Sequence, residues 1–210
     1  MEDLREELKK KYGYEEVMVC HGEDIDNWLG EDFTPFSQAT INNMLNNAFF
    51  VRRYDAEKNP IFRQVIPYVV LKHGNTLYAG QRLSGSGEAR LVGEMTIGHG
   101  GHINRVDAFF GNTISNNMSR ELSEEFDIYC NAKLNAKYVG FLNAHGDAVS
   151  QDHVAVIILV DMSKPTVEVK EKDKLVGRFI DIEELKHTYR EQMGLWSKLT
   201  IDVLYERLRA

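Results

Sequence analysis

The chain has 210 residues, of which 43% are hydrophobic and 27% charged, as in an ordinary globular protein with one full core and room for a small extension. A formal net charge of −7 argues against a general nucleic-acid surface or a surface for anionic membranes. The N-terminus is charged and no run approaches the ~18 apolar residues of a membrane span, so we expect a cytoplasmic protein without a secretory signal.

Residues 1–60 are predicted to form an N-terminal extension without a recognisable chemical motif. Its expected elements are a helix at 3–11, a strand at 16–20, a loop at 21–33 and a helix at 37–46. In the second helix, Ile41 and Leu45 are expected to face inward. A polar stretch ending at Pro60 marks the boundary with the main domain, residues 61–210. The extension is expected to cover the site or to form a dimer contact, and a structural pad on the main domain is an equal alternative.

The main domain is predicted to mix strands and helices without a regular repeat. Strands are expected at 65–72, 76–82, 138–143, 154–161 and 176–180, and helices at 113–126, 182–189 and 195–208. Residues 84–87 are expected to form a flexible loop, and residues 164–173 a charged hairpin or loop. Because no βαβ rhythm is present, the pattern predicts an α+β fold with a mixed β-sheet and helices on both faces.

A group of glutamates lies near the end of the helix predicted at 113–126. Glu121 and Glu125 are one turn apart, and Glu124 is beside them. An adjacent apolar stripe recurs at every fourth residue: Ile114, Met118, Leu122 and Phe126. Like charges one turn apart destabilise an isolated helix, and a hard divalent cation would offset that cost. A solvated acidic helix face is the simpler interpretation of the same pattern.

The stretch from Arg120 to Ile128 resembles the core of the Nudix box, whose pattern is Gly-x5-Glu-x7-Arg-Glu-U-x-Glu-Glu-x-Gly-U, with U an aliphatic residue. The Arg-Glu-U-x-Glu-Glu core and the final aliphatic residue are intact. Further stretches are similar to one bacterial branch of this family whose substrates are largely unknown: residues 64–70, 87–91, 98–103 and 139–143, followed by His153. The resemblance spans roughly residues 60–205 and is specific for fold and metal chemistry.

The chain departs from the Nudix pattern at three positions. Asn112 stands where the first box glutamate is expected, and Asp127 replaces the last glycine. The first glycine does not fall at its usual distance, so we align Gly100 and Gly101 with the glycines of the family and treat residues 104–110 as an insertion. Asn112 removes a supporting carboxylate, while the three main acidic positions are untouched.

The resemblance implies a Nudix-type α/β/α sandwich and a metal-dependent hydrolase. The reaction would cleave a phosphoanhydride bond in a nucleoside diphosphate linked to another moiety, with Mg2+ or Mn2+ as cofactor. Glu121 and Glu125 would be the principal metal ligands. Glu124 would be a further ligand or the base that activates water, and Gly101 would bind the metal through its backbone carbonyl. Arg120 is included in the catalytic set, where it is expected to pair with a carboxylate. The expected partner is a small-molecule diphosphate, without nucleic acid or membrane.

Substrate contacts are expected from histidines and arginines around the glycine turn. His99 and His102 flank the glycines, and each could contact a phosphate or stabilise the turn by a hydrogen bond. His153 begins an apolar strand, where a satisfied core histidine is the alternative. Arginines are further candidates for phosphate contacts, although solvated arginines are common: Arg52, Arg53 and Arg82.

The sequence also allows two other candidates for the general base and two other functions. The general base could come from Asp147 or Asp152 in the loop after residue 140. A catalytically silent Nudix-fold module that binds a nucleotide or a protein is one alternative function, which Asn112 favours. A prenyl-diphosphate isomerase-like enzyme is another, but it needs a catalytic cysteine, and Cys20 and Cys130 are expected to be ordinary free thiols.

Overall fold

The computed structural model describes residues 2–83, 92–109, 111–128, 135–162, 167–170, 172–173 and 175–209. The loop predicted at 84–87, the family-like stretch at 87–91 and Cys130 lie outside these residues. By its internal contacts the chain divides into two compact units. The first unit comprises Met1–Pro67, Gly101–Met118 and Val139–Val156, and the second comprises Tyr68–Gly100, Ser119–Tyr138 and Ile157–Ala210. A domain boundary near residue 60, and a covering or dimer role for the extension, stay predictions.

The helices and strands of the described residues alternate irregularly along the chain. The helices are α1 (Glu2–Tyr12), α2 (Gly22–Trp28), α3 (Gln38–Asn47), α4 (Arg53–Ala56), α5 (Thr113–Glu125), α6 (Ile182–Glu184) and α7 (Leu195–Arg209). The strands are β1 (Glu16–His21), β2 (Asp32–Pro35), β3 (Phe49–Arg52), β4 (Phe62–His73), β5 (Thr76–Arg82), β6 (Met95–Thr96), β7 (Phe126–Ile128), β8 (Asn135–Asn143), β9 (His153–Asp161), β10 (Val167–Val169) and β11 (Leu175–Asp181). None of the helices in the described ranges is long and apolar enough to span a bilayer.

Most strands belong to one nine-stranded sheet, whose main path has the order β11-β5-β4-β9-β8-β2. Beside this path, β1 pairs with β3 and β4, and β6 pairs with β5. A separate two-stranded sheet joins β10 to β7.

The first unit contains β1 between β3 and the start of β4. Both pairings are antiparallel, with Val17 opposite Val51 and Val19 opposite Gln64. Ala56 at the end of α4 is buried in the same small core as Val17 and Val19. The residue after Ala56 is Glu57, so this packing holds Glu57 at the edge of that core.

The second unit contains the antiparallel pair of β5 and β11, which runs from Arg82 opposite Leu175 to Thr76 opposite Asp181. Tyr68 lies within β4, and its hydroxyl is 2.8 Å from Oγ of Ser197 on α7. Gly98 packs directly on this tyrosine, since a Cβ there would lie 2.0 Å from the Tyr68 ring. A side chain at position 98 is therefore excluded, which fixes the turn that leads into the paired glycines.

Helix α5 occupies the range that the sequence predicts, and its apolar stripe is buried. Ile114, Met118, Leu122 and Phe126 are all nearly inaccessible to solvent. The side chain of Asn112 accepts the backbone N–H of Ser115 at 3.4 Å, so Asn112 caps the helix.

Two sequence expectations about the N-terminal residues are wrong. The loop expected at 21–33 contains α2 and the start of β2. Helix α2 was missed because it buries only Gly22 and Ile25, which is too little for an apolar period. In α3, Leu45 is 36% exposed, whereas Met44 is fully buried. Positions three and four residues after Ile41 share almost the same helix face, so periodicity alone does not choose between them.

Candidate functional site

The predicted catalytic residues lie at the C-terminal end of α5, in the second unit. We call Arg120, Glu121, Glu124 and Glu125 the acidic helix end. The exposed fraction of the side chain is 14% for Glu121, 25% for Glu125 and 56% for Glu124. The three carboxylates therefore range from nearly buried to open to solvent, and Glu124 is the most accessible.

Arg120 contacts two of these carboxylates. Its Nη1 lies 2.7 Å from Oε1 of Glu121 and 3.3 Å from Oε1 of Glu124. These contacts agree with the expected pairing of Arg120 with a carboxylate. One guanidinium thus fixes the positions of two carboxylates on the same helix.

The electrostatic environment of Glu121 is unusual for a carboxyl group. Burial, opposed by Arg120 and reinforced by the charges of Glu124 and Glu125, raises the pKa of Glu121 to about 7. Burial therefore outweighs the guanidinium and disfavours the ionised form of Glu121, and the neighbouring carboxylates add to this effect. A bound cation would favour the ionised form of Glu121.

Buried aromatic groups lie next to Glu125. Nδ1 of His99 is 3.5 Å from Oε2 of Glu125, and the His99 ring packs against Tyr78 at a centroid distance of 5.4 Å. Burial, with a smaller contribution from the charge of Glu125, raises the pKa of the Tyr78 hydroxyl to about 12. The backbone of His99 also pairs with Val69 through two hydrogen bonds of 2.8 Å. His99 is thus a buried group that contacts Glu125. No sequence motif indicated that Tyr78 would lie beside His99 at this site.

Lys170 satisfies the last carbonyl groups of α5. Its backbone N–H donates to the carbonyl of Glu125 at 2.9 Å, and its Nζ donates to the carbonyl of Ser123 at 2.7 Å. Nζ is also 3.1 Å from the carboxylate of Asp127. Asp127 lies in the extended strand β7 opposite Glu168, so the chain needs no left-handed residue where the Nudix pattern has glycine.

A second group of potential ligands lies in the first unit. We call Glu57, His102 and His153 the imidazole cluster, because one ligand atom from each lies within 4.8 Å of the other two. Nε2 of His102 is 3.2 Å from Nε2 of His153. Among the residues described, no group of three glutamates on α5 reaches this spacing. The structure therefore brings together two of the predicted substrate contacts and adds Glu57, which sequence reasoning missed.

Hydrogen bonds hold the members of the imidazole cluster in place. His153 is buried, and its Nδ1 donates to the carbonyl of Val149 at 2.7 Å. Burial lowers the pKa of His153, which favours the neutral ring. Nε of Arg53 donates to Oε1 of Glu57 at 3.1 Å, and Nη1 of the same arginine is 3.1 Å from Glu15.

The two aspartates considered as alternative bases both accept backbone hydrogen bonds. Oδ1 of Asp147 accepts the backbone N–H groups of Val149 and Ser150, both at 2.8 Å. Asp152 is buried, and its Oδ2 accepts the N–H of Lys58 at 3.1 Å. These bonds give both aspartates a structural role, and a role as base stays a prediction.

The predicted metal ligand Gly101 and the predicted phosphate contact Arg82 belong to different units. Gly101 belongs to the first unit, and Arg82 lies at the end of β5 in the second. The backbone N–H of Arg82 donates to the carbonyl of Glu94 at 3.1 Å. The carbonyl ligand at Gly101 and the phosphate contact at Arg82 stay predictions.

Comparisons with known proteins place the chain in a family. No family model matches it. Protein YmaB of Bacillus subtilis (strain 168) is 35% identical over 159 residues, which cover 73% of this chain and 77% of that protein. The crystal structure of Tm1382, a candidate Nudix hydrolase, matches with a TM-score of 0.77 and 28% identity over 92% of this chain and 100% of that chain. This likeness confirms the predicted fold class, a Nudix-type α/β/α sandwich with a mixed β-sheet. The chain belongs to the Nudix hydrolase superfamily.

Proposed function

We propose that the chain is a metal-dependent hydrolase that cleaves a phosphoanhydride bond in a nucleoside diphosphate linked to another moiety. The observation that carries this proposal is the intact Arg-Glu-U-x-Glu-Glu core on a helix whose apolar stripe is buried. Burial of the stripe fixes the rotation of α5, so Glu121 and Glu125 share one edge of it. Membership of the Nudix superfamily supports the reaction class.

The acidic helix end fits a hard divalent cation in its donor chemistry. Mg2+ and Mn2+ prefer carboxylate oxygens and keep several water ligands. Glu121 and Glu125 would hold the cation, with Glu124 beside them. The raised pKa of Glu121 supports this role, because burial, its main cause, disfavours the ionised carboxylate and a bound cation would stabilise it. When bound, such a cation would neutralise charge on the phosphates and lower the pKa of a coordinated water.

Glu124 is the proposed general base. It is the most exposed of the three carboxylates, and Arg120 restrains it at 3.3 Å. In the proposed step, a water oxygen bonds to phosphorus, the bridging P–O bond breaks, and the water proton passes to the Glu124 carboxylate. His99 would position Glu125 through the 3.5 Å contact of its Nδ1 with Oε2.

A catalytically silent binding module is the second candidate function. Asn112 replaces a box glutamate and serves as the N-cap of α5. Arg120 already neutralises part of the charge on Glu121 and Glu124 without a cation. The isomerase alternative gains no support from Cys20, since burial raises the pKa of this thiol to about 12 and its S–H donates to the carbonyl of Met44.

A substrate screen tests the proposed function. The full chain would be incubated with nucleoside diphosphate sugars, dinucleoside polyphosphates and related diphosphates, each with Mg2+ or Mn2+, and the products separated by chromatography. We expect a nucleoside monophosphate and a phosphorylated second moiety from at least one compound class, and none after chelation of the metal. No turnover in any reaction, together with an unchanged melting temperature in both metals, would instead support the binding module.

A further inference from the structure

We propose that the imidazole cluster binds a transition-metal cation of the Zn2+ class. Its three members come from distant parts of the sequence: Glu57 follows α4, His102 follows the paired glycines, and His153 begins β9. All three belong to the first unit, and their ligand atoms lie within 4.8 Å of one another. The imidazole cluster shares no residue with the acidic helix end.

The distance between the two imidazole nitrogens matches the distance between two ligand atoms of a tetrahedral metal ion. Two nitrogens that each lie about 2.0–2.1 Å from a tetrahedral Zn2+ are about 3.3–3.4 Å apart. Nε2 of His102 and Nε2 of His153 are 3.2 Å apart. A shift of about 0.1–0.2 Å would therefore be enough to bind one ion through both rings.

In the tautomer that His153 adopts, Nε2 is the nitrogen that can coordinate a metal ion. Its Nδ1 lies 2.7 Å from the carbonyl oxygen of Val149, which can only accept a hydrogen bond. Nδ1 of His153 therefore carries the proton, and Nε2 of the neutral ring has a lone pair. A backbone carbonyl that holds the outer nitrogen of a histidine is a common feature of metal-ligating imidazoles.

The carboxylate of Glu57 is buried and oriented. Arg53 donates to Oε1 of Glu57 at 3.1 Å and also contacts Glu15 at 3.1 Å. Within this group two carboxylates share one guanidinium, so the group keeps an excess of negative charge beside the two imidazoles. Buried charge of this kind is stabilised by a counter-ion, and a divalent cation supplies one.

The backbone that carries His102 is held by a buried side chain. Nδ2 of Asn117 donates to the carbonyl of His102 at 2.8 Å and lies 3.2 Å from Oδ2 of Asp107. Asn117 is fully buried, so this bond is shielded from water. A site whose supporting residues are fixed in this way needs little rearrangement to bind its ion.

The donor set selects the class of cation. Two imidazole nitrogens and one carboxylate suit Zn2+ and neighbouring transition metals, whereas Mg2+ and Ca2+ prefer oxygen ligands. Three protein ligands leave a coordination position for water, as in open zinc sites. The alternative without a metal is a direct hydrogen bond between the two rings, with Nε2 of His102 donating to Nε2 of His153.

Zn2+ calorimetry tests the proposal. The protein would be treated with EDTA, dialysed and titrated with Zn2+, and compared with Glu57→Gln and His102→Gln. We expect one tight equivalent in the wild type and a loss of more than about 10-fold in affinity in each variant. The control is His187→Gln, which alters an exposed His–Glu pair in which Nε2 of His187 is 3.5 Å from Oε2 of Glu183. Equal Zn2+ affinity in the wild type and both cluster variants would overturn the proposal.

Imidazole NMR of the wild type provides a test that needs no variant to fold. We expect Zn2+ to shift the Nε2 resonances of two histidines while the Nδ1 proton of His153 is retained. Circular dichroism would show whether each variant is folded, and the NMR result decides if one is not. Unchanged imidazole resonances at a saturating Zn2+ concentration would support the direct hydrogen bond and contradict a metal site.

Discussion

The acidic helix end and the imidazole cluster differ in donor chemistry and in burial. The first offers carboxylates only, and one of them, Glu124, is 56% exposed. The second combines two imidazoles with a carboxylate, and both Glu57 and His153 are buried. An open, all-oxygen group suits a hard cation that meets a phosphorylated substrate, whereas a buried, nitrogen-rich group suits a retained transition metal.

The two groups also differ in how they are held. At the acidic helix end, Arg120 contacts Glu121 and Glu124, and His99 contacts Glu125. In the imidazole cluster, a carbonyl holds His153, Arg53 holds Glu57, and Asn117 holds the backbone of His102. The imidazole cluster is therefore held mainly by neutral backbone and side-chain hydrogen bonds and one guanidinium, whereas the carboxylates of α5 are held by charged partners.

The largest effect is expected for Glu124→Gln. Loss of a general base should lower kcat by about 10²–10⁴-fold, while much of the Mg2+-dependent rise in melting temperature is kept. The matched control is Glu206→Gln, which alters an exposed glutamate on α7. Steady-state kinetics and thermal unfolding would be measured on the same samples. Loss of turnover and thermal shift together would make Glu124 a ligand and remove it as the base.

The second prediction concerns pH in metal-free buffer with EDTA. The folded-state pKa of Glu121 is raised from 4.5 to about 7, so its contribution to stability is present below 4.5 and is lost as the pH rises through about 7. Glu121→Gln should remove this loss, worth at most about 3 kcal/mol between pH 4 and pH 8. Urea unfolding of the wild type and the variant at both pH values would measure this difference in the free energy of unfolding. An identical pH dependence in variant and wild type would show that Glu121 titrates normally.

Mg2+ should stabilise the acidic helix end by mass action. At a Mg2+ concentration about 100 times its dissociation constant, the gain is roughly 2.7 kcal/mol, or about 5–10 °C in melting temperature. Glu121→Gln combined with Glu125→Gln should abolish the shift. His102→Gln should keep it, because the imidazole cluster prefers a softer cation. A shift that disappears in His102→Gln and survives in the double variant would reverse the assignment of cations to the two groups.

The smallest effect is expected at the start of α5. Asn112 accepts the backbone N–H of Ser115, and Asn112→Ala should lower the free energy of unfolding by about 1 kcal/mol. Asn112→Asp should retain the cap, because its carboxylate can accept the same N–H near the helix N-terminus. Chemical denaturation would measure both. Equal losses in the two variants would show that the cap does not stabilise α5.

The acidic helix end could be predicted because its residues are neighbours along one helix. The spacing of Glu121 and Glu125 and the period of the apolar stripe are local properties of the sequence. Glu57 could not be found in this way, since it meets His102 and His153 only after the first unit has folded. Helix α2 was missed because it is short and buries little apolar surface. The choice between Met44 and Leu45 depends on tertiary packing, which periodicity does not contain.

The central claim is that Glu121 and Glu125 form a binding site for a hard divalent cation. Calorimetric titration with Mn2+ tests it most directly, with the wild type, Glu121→Gln, Glu125→Gln and the control Glu206→Gln compared at one pH. We predict that both α5 variants bind Mn2+ more weakly than the wild type and that the control binds equally. If both α5 variants bind Mn2+ as tightly as the wild type, the cation site is elsewhere in the protein.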